Sequence, residues 1–138
     1  MKNNENHLKE INDDLSHCTK CDLYKSANYA VAGEGPSDAL AMLVGQNPGE
    51  QEDESGKPFV GRSGTYLNKV LEKYNLSREK LFITSVVKHK TPNNRKPTKE
   101  EIKACMPYLI KQIEIIEPKI VVLMGKVAWE TLQKEGIN

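Results

Sequence analysis

Hydrophobic residues in this chain form short continuous runs, separated by longer stretches in which apolar positions recur at helical spacing. The runs LAMLVG at 40–45, LFITSVV at 81–87 and KIVVLMG at 119–125 have the length and apolar content of buried strands. Helical patterns follow each run, and a regular alternation of strand and helix is typical of the α/β class. We therefore predict a single domain over 1–138, with three α/β/α layers and a short parallel sheet joined by right-handed crossovers.

Apolar residues that recur every three or four positions predict four helices. The helical segments are 5–16, 63–74, 97–118 and 126–136. Ser63 is placed to cap the second helix, and Thr98 with Glu101 forms a capping box for the third. Pro107 lies inside the apolar stripe of that third helix, so we expect a kink or a later start there. The last helix is expected to end at Gly136.

The composition suits a soluble globular protein. Hydrophobic residues make up 38% and charged residues 28% of the 138 residues. No window approaches the roughly eighteen consecutive apolar residues of a membrane span. The N-terminal stretch MKNNENHLKEINDD is polar and acidic, which does not match a secretory signal. We expect a cytoplasmic protein with no membrane partner.

The net charge of +1 favours no particular partner, but the positive charge is unevenly distributed. The segment KHKTPNNRKPTK at 88–99 contains five Lys or Arg residues and no acid. A basic loop rich in Pro and Asn can follow the phosphates of a nucleic acid, although most such runs are solvated surface. The candidate DNA-binding residues are Lys88, Lys90, Arg95 and Lys96.

The segment GQNPGEQEDESGKPFVG at 45–61 follows the first predicted strand and suits neither a helix nor a strand. In an open α/β sheet, ligands bind beyond the carboxyl ends of the strands, which is where this segment lies. Its glycines and prolines predict tight turns, while Gln46 and Asn47 offer amide groups at the strand tip. A phosphate-binding P-loop is excluded, because the glycine spacing is wrong and proline follows the lysine. An acidic surface loop is the alternative, but Phe59 held between turns favours a binding pocket.

The three cysteines argue against a disulfide framework, because their number is odd and the expected compartment is reducing. Cys18 and Cys21 form a C-x2-C pair, and His89 and Cys105 lie further along the chain. Three thiolates and one imidazole are a complete ligand set for tetrahedral zinc, and His replaces Cys in some iron–sulfur centres. The alternative is that the thiols are free, with Cys105 buried on its helix and His89 part of the basic run.

Four segments of the chain occur together, and in the same order, in a known enzyme family. They are CTKCDLY, VGQNPGEQEDESGKPFVGRSG, FITSVVKHKTPNNRKPTKEEIKAC and IEPKIVVLMGKVAW. On these segments the chain, from about Cys18 to Gly136, resembles the family 4 uracil-DNA glycosylases, the iron–sulfur type. The resemblance implies a uracil-DNA-glycosylase-like fold and a role in base excision repair. The implied reaction is hydrolysis of the N-glycosidic bond of a uracil flipped out of DNA.

The resemblance also implies a cofactor. Family members hold a [4Fe-4S] cluster with four cysteines, and Cys18, Cys21 and Cys105 stand at three of those positions. His89 stands where the family usually has the remaining cysteine. That replacement is expected to make the cluster more easily oxidised or lost, and zinc is the alternative. In the family, the cluster orders the protein and a basic loop beside it contacts DNA.

In the pocket, the resemblance implies that Phe59 stacks on the flipped uracil and that Glu52 is one of the important acids. Gly45, Gln46 and Asn47 would line the sugar and the base. The family usually has Glu in place of Gln46 and a small residue in place of Asn47. GQNPG instead resembles a combination of the Gln of the family 1 enzymes and the Asn of the mismatch-specific and single-strand-selective enzymes. In the latter two groups that Asn orients the attacking water, and this likeness implies the same role for Asn47.

Two further departures from the family bear on activity. Ser85 stands where the family has a uracil-reading Asn, and serine is too short for the same bidentate contact. The family continues with another strand and a His-Pro-Ser-type motif whose His stabilises the departing base, whereas this chain ends at Asn138. We therefore expect a C-terminally truncated domain with low or no excision activity. The alternative is a non-catalytic nucleic-acid or nucleobase-binding module. The open sheet edge is expected to pair two copies of the chain as a homodimer.

Overall fold

A computed structural model describes residues 2–134 of the chain. The helices are α1 (Lys2–Ser16), α2 (Glu50–Ser55), α3 (Arg62–Lys73), α4 (Lys99–Ile116) and α5 (Lys126–Lys134). The strands are β1 (Ala41–Gly45), β2 (Leu81–Ser85) and β3 (Ile120–Leu123). Strands and helices therefore alternate as the hydrophobic pattern predicts, with the short helix α2 as an addition. The predicted end of the last helix at Gly136 lies outside the described residues.

The three strands form one parallel sheet in the order β2-β1-β3. Gly45, the last residue of β1, lies opposite Ser85, the last residue of β2. The loops that leave β1 and β2 therefore meet at the carboxyl edge of the sheet, where open α/β sheets bind their ligands.

Helices cover both faces of the sheet. Successive residues of a strand point to opposite sides. Leu43 and Ile83 pack with Leu67 and Leu71 of α3 in a small core on one face. Met42 belongs to the larger core on the other face, which also contains residues of α1, α4 and α5. The three-layer α/β/α architecture is thus confirmed.

The two edges of the sheet differ. At the outer edge of β2, the Glu34 N–H donates to the Ile83 carbonyl at 3.0 Å, and the Ile83 N–H donates to the Glu34 carbonyl at 2.9 Å. Over residues 2–134, β3 pairs with β1 alone. Ile120 and Val122 on β3 are 54% and 40% exposed. The outer side of β3 is thus the open edge, and homodimer formation through it stays a prediction.

The start of α3 differs from the prediction. Ser63 lies inside the helix, which begins at Arg62 and follows an extended Gly61. The predicted N-cap, Ser63, is therefore wrong by two positions. The preceding loop places Gly61 at the N-terminus of the helix, and Gly61 is the N-cap.

The start of α4 agrees with the prediction. The Glu101 N–H donates to Thr98 Oγ1 at 3.2 Å, and the Thr98 N–H donates to Glu101 Oε1 at 2.8 Å. Pro107 lies within the continuous helix, so the later start considered for α4 is wrong. Among residues 2–134, no helix combines the length and the apolar character that a membrane crossing requires.

Candidate active site

A cavity of about 1120 Å³ opens at the carboxyl ends of β1 and β2. Its walls come from the loop after β1, the start of α3 and the ends of β2 and β3, with Val31 and Asn94 as further lining residues. All six residues predicted for catalysis and base binding line it, namely Gly45, Gln46, Asn47, Glu52, Phe59 and Ser85. The fold thus brings residues from two distant segments around one space.

Phe59 has a strained backbone conformation beside this cavity. Its φ of 49° lies in the left-handed region, which bulky residues rarely adopt. Its ring lies over Gly45, where a Cβ would come within 2.8 Å of the ring Cζ. Its carbonyl lies against Gly64, where a Cβ would collide with the carbonyl oxygen. The absence of a side chain at these two glycines therefore lets Phe59 sit between β1 and α3.

Arg78, in the turn before β2, binds the backbone of Pro58 and Phe59. Its Nη1 donates to the Phe59 carbonyl at 2.8 Å and to Asn68 Oδ1 at 3.1 Å. Its Nη2 donates to the Pro58 carbonyl. A guanidinium presents several donors in one rigid plane, so it can bind two neighbouring carbonyls at once. Arg78 therefore stabilises the conformation in which Phe59 is held.

The Glu52 carboxylate joins the two ends of the loop. Its Oε1 accepts the Gly49 N–H at 2.9 Å, and its Oε2 accepts the N–H groups of Val60 and Gly61 at 2.9 and 2.8 Å. Partial burial raises the pKa of Glu52, but these backbone hydrogen bonds outweigh it, and the net pKa lies below the usual value. Glu52 is therefore an ionised group that fixes the wall carrying Phe59.

Gln46 and Asn47 form a chain of hydrogen bonds at the tip of β1. Asn47 Nδ2 donates to the Pro48 carbonyl at 2.8 Å, and Asn47 Oδ1 accepts from Gln46 Nε2 at 2.8 Å. A carbonyl oxygen can only accept, so the bond to Pro48 fixes the orientation of the Asn47 amide and, through it, that of Gln46. Asn47 Oδ1 has a second lone pair, which is the acceptor that a bound water needs.

Ser85 is buried at the end of β2. Its hydroxyl donates to the Val87 carbonyl at 2.6 Å. Because the proton is used in that bond, the Ser85 oxygen offers lone pairs to the cavity and not a donor. In this arrangement Ser85 can accept one hydrogen bond from a base.

Lys88 is buried, which contradicts the prediction that it contacts DNA. The side chain is fully buried, and Nζ donates to Thr84 Oγ1 at 2.6 Å, the Ser85 carbonyl at 2.6 Å and Gln112 Oε1 at 2.9 Å. Burial lowers the pKa of Lys88 to about 7, with the Cys105 thiol acting in the opposite direction. Lys88 cannot reach a phosphate from this position, and it instead holds the end of β2 against α4.

The other basic residues of the loop at 88–99 differ in how far they are exposed and free to bind a phosphate. Lys96 is exposed and Lys90 is half-buried. The Arg95 guanidinium forms two hydrogen bonds with the Glu101 carboxylate, at 2.8 and 2.7 Å. Asn94 lines the cavity, so the loop reaches its rim. With Lys88 buried and Arg95 paired, the loop offers less free positive charge than its sequence indicates.

Within residues 2–134, the predicted metal ligands do not form a metal-binding group, although the three cysteines lie near one another. Cys18, Cys21 and Cys105 are free thiols whose charges would interact, and burial raises the pKa of Cys21 and Cys105. Burial lowers the pKa of His89, opposed by the charge of Asp53, and its buried Nδ1 has no hydrogen-bond partner in the part of the chain described. The donor chemistry fits a metal centre. Among the same residues, however, no three His, Cys, Asp or Glu side chains are grouped for metal binding.

Arg62 and Asn94 are among the cavity-lining residues that sequence reasoning missed. Arg62 directly follows the glycine that ends the loop, and this position was a usable signal. Asn94 has a φ of 54°, and an Asn-Asn pair is typical of a left-handed turn. Arg78 had no local signal, because its partners lie about twenty residues earlier in the chain.

Comparison with known proteins gives consistent results. Residues 32–137 match the model of the uracil DNA glycosylase superfamily. A Type-4 uracil-DNA glycosylase of Pyrobaculum aerophilum is 42% identical over 127 residues, which cover 92% of this chain and 65% of that protein. The Type-4 enzyme of Saccharolobus solfataricus is 49% identical over 120 residues, covering 86% and 56%. That of Thermotoga maritima is 41% identical over 128 residues, covering 93% and 67%.

The fold and the cavity define an α/β protein with an open cavity at the carboxyl ends of its strands. The family match is more specific, and the chain belongs to the uracil DNA glycosylase superfamily. The resemblance found in the sequence motifs is thereby confirmed. The chain spans between 56% and 67% of the length of these three relatives.

Proposed function

We propose that this domain binds a uracil flipped out of DNA and hydrolyses its N-glycosidic bond, as a step of base excision repair. The observation that carries the proposal is the single cavity lined by all six predicted residues at the ends of β1 and β2. The similarity to relatives named Type-4 uracil-DNA glycosylases supports the same conclusion. An enzyme that acts on a base must take that base out of the duplex, and an open cavity suits an extruded base.

Phe59 supplies the surface on which the base stacks. Gly45, Gly64 and Arg78 fix its position before a ligand arrives. A preorganised aromatic ring binds without a further ordering cost. Glu52 contributes by positioning, since its oxygens bind the backbone on both sides of the loop.

Asn47 orients the attacking water. Cleavage leaves positive charge on the sugar and negative charge on the base, so a fixed dipole beside the water favours the reaction. Gln46 and Pro48 lock the Asn47 amide, and its oxygen accepts a hydrogen bond from the water. A neutral amide is a weaker activator than a carboxylate, so we expect slow turnover.

A non-catalytic module that binds a nucleobase or a nucleic acid is the second candidate. One observation favours it: the Glu52 carboxylate already accepts three backbone hydrogen bonds, and the side chains of Gln46 and Asn47 at the tip of β1 are neutral amides. Such a cavity can recognise a base without supplying a strong general base.

We also propose that Cys18, Cys21, His89 and Cys105 hold a [4Fe-4S] cluster, with zinc as the alternative. The free thiols support this assignment, as does His89 Nδ1, which is buried and has no hydrogen-bond partner among residues 2–134. The centre would serve to order the protein, and none of the steps above depends on it.

Excision is tested by strand breakage at uracil. The protein is incubated with uracil-containing single- and double-stranded DNA, and alkali then cleaves any abasic site. We expect breaks at uracil and none in a thymine oligomer. Asn47→Ala should lower the rate on the order of a hundredfold, because the water loses its orienting acceptor. Asn12→Ala, at an exposed position of α1, is the matched control.

The two candidates give different results in that assay. Binding of the uracil oligomer without breaks establishes the non-catalytic module. Neither binding nor breaks rejects both functions.

A further inference from the structure

The outer face of α3 carries a stripe of basic and aromatic side chains. Arg62, Tyr66, Lys69 and Lys73 follow one another at intervals of four, three and four residues. At helical geometry they lie within about 60° of arc along about 16 Å of helix. All four are exposed, and Tyr66 is 70% exposed. We call these four residues the α3 stripe.

The α3 stripe begins at the mouth of the cavity. Arg62 lines both the cavity and a shallow depression of about 480 Å³ beside it. This depression is lined by Gln51, Gly61, Arg62, Thr65, Tyr66 and Lys69, and none of these residues is acidic. Among the residues that the structure describes, no ion pair involves Arg62 or Lys69. The depression is thus a basic, partly aromatic surface continuous with the site.

We propose that the α3 stripe binds the single-stranded DNA that flanks the flipped nucleotide. The inference rests on the proposed function, because it takes the cavity to hold the flipped base. The cations bind phosphates, and Tyr66 stacks on one unpaired base. A basic groove that follows the backbone, together with an exposed aromatic side chain, is the usual means of binding a single strand. A paired base does not present its face, so Tyr66 favours a single strand over a duplex.

The α3 stripe also supplies charge that the basic loop does not. Lys88 is buried, and Arg95 is paired with Glu101. Asn94 of that loop and Arg62 of the stripe both line the cavity. A strand that crosses the cavity can therefore contact the loop on one side and the α3 stripe on the other.

Fluorescence anisotropy tests the proposal, with a labelled single-stranded oligomer that contains one central uracil. In the double variant Lys69→Gln/Lys73→Gln, the slope of log K against log salt should become shallower by about 1.4, or about 0.7 for each phosphate contact on a single strand. The matched control is Lys103→Gln/Lys111→Gln. It removes two exposed lysines of α4, on the opposite face of the sheet, and should leave the slope unchanged.

Tyr66 gives a second, independent readout. Tyr66→Ala should weaken binding of the single strand on the order of tenfold and leave binding of a duplex unchanged, because only the single strand offers a base for stacking. Tyr66→Phe keeps the ring and should restore the affinity. Circular dichroism confirms that the variants fold.

The proposal is overturned if the α3 variants keep the affinity and salt slope of the α4 control. It is also overturned if Tyr66→Ala weakens duplex and single-strand binding equally. Anisotropy measures binding alone, so a failure of uracil excision leaves this test intact. Conversely, if the protein excises uracil but the α3 variants bind normally, the proposed function stands and the binding role of the α3 stripe is rejected.

Discussion

The backbone of Phe59 has an energetic cost that its neighbours must offset. A residue in the left-handed region costs on the order of 1–3 kcal/mol. Arg78 and Glu52 bind the backbone on either side of Phe59, and Gly64 leaves room for its carbonyl. The proposed stacking position of Phe59 therefore depends on several neighbouring residues and not on Phe59 alone.

Arg78→Ala is expected to lower the free energy of unfolding by about 2 kcal/mol, because two carbonyls lose a charged donor. It should also weaken binding of a uracil oligomer, since Phe59 is then free to leave its position. Urea unfolding and anisotropy measure the two effects.

Arg78→Lys keeps the charge without the planar fork and should recover only part of the binding. Asn68→Ala removes only the 3.1 Å bond and is the control, and unchanged binding in Arg78→Ala contradicts the positioning role.

Local sequence order explains which residues could be predicted. The sequence predicts Gln46, Asn47 and Phe59 at a cavity, because they follow a strand whose carboxyl end faces the ligand side in this class of fold. Lys88 was misplaced, because its burial depends on Gln112 of α4, a contact that no local pattern encodes. Arg78 was missed for the same physical reason.

Individual elements differ in how far they depend on distant contacts. The start of α4 could be predicted, since Thr98 and Glu101 cap it with bonds between residues three apart. The start of α3 could not. Serine is the better cap residue in general, but the Gly61 N–H is bound by Glu52 at 2.8 Å, and this contact sets where the helix begins.

The cysteines come from two helical regions that are in contact, and substituting one of them tests the proposed metal centre. Cys18 follows α1 and Cys105 lies on α4, and these two helices pack against each other. Protein purified without oxygen is expected to be brown and to contain iron and sulfide. Cys105→Ser should lose both, because one of three thiolate ligands is removed. Ala104→Ser, at the neighbouring position of α4, is the control.

Metal analysis decides between the outcomes for that centre. Colourless protein with one zinc supports the zinc alternative. Protein that contains neither metal, or a Cys105→Ser variant that keeps its iron, contradicts the proposed ligand set.

The two edges of the sheet are covered to different degrees. The extended segment around Glu34 pairs with Ile83 and covers the outer edge of β2. The sequence pattern predicts the three strands but not the pairing of Glu34 with Ile83. A single isolated bridge is too short to show a repeating pattern of apolar residues. Over the described residues, the outer edge of β3 has no such cover. Exposed edges readily pair with another strand, so β3 is the place where the fold can extend.

A second copy of the chain is the partner we expect at this edge. Sedimentation velocity at increasing protein concentration should then show a dimer. Ile120→Lys should shift it to monomer, because a lysine on an edge strand opposes strand pairing. Ile120 is 54% exposed, so the variant should still fold, with a change in stability of about 0.5 kcal/mol or less. Leu76→Lys places the same charge at a residue that is 57% exposed in the loop after α3 and should leave the dimer intact. A monomer at every concentration, or a dimer that survives Ile120→Lys, contradicts pairing through β3.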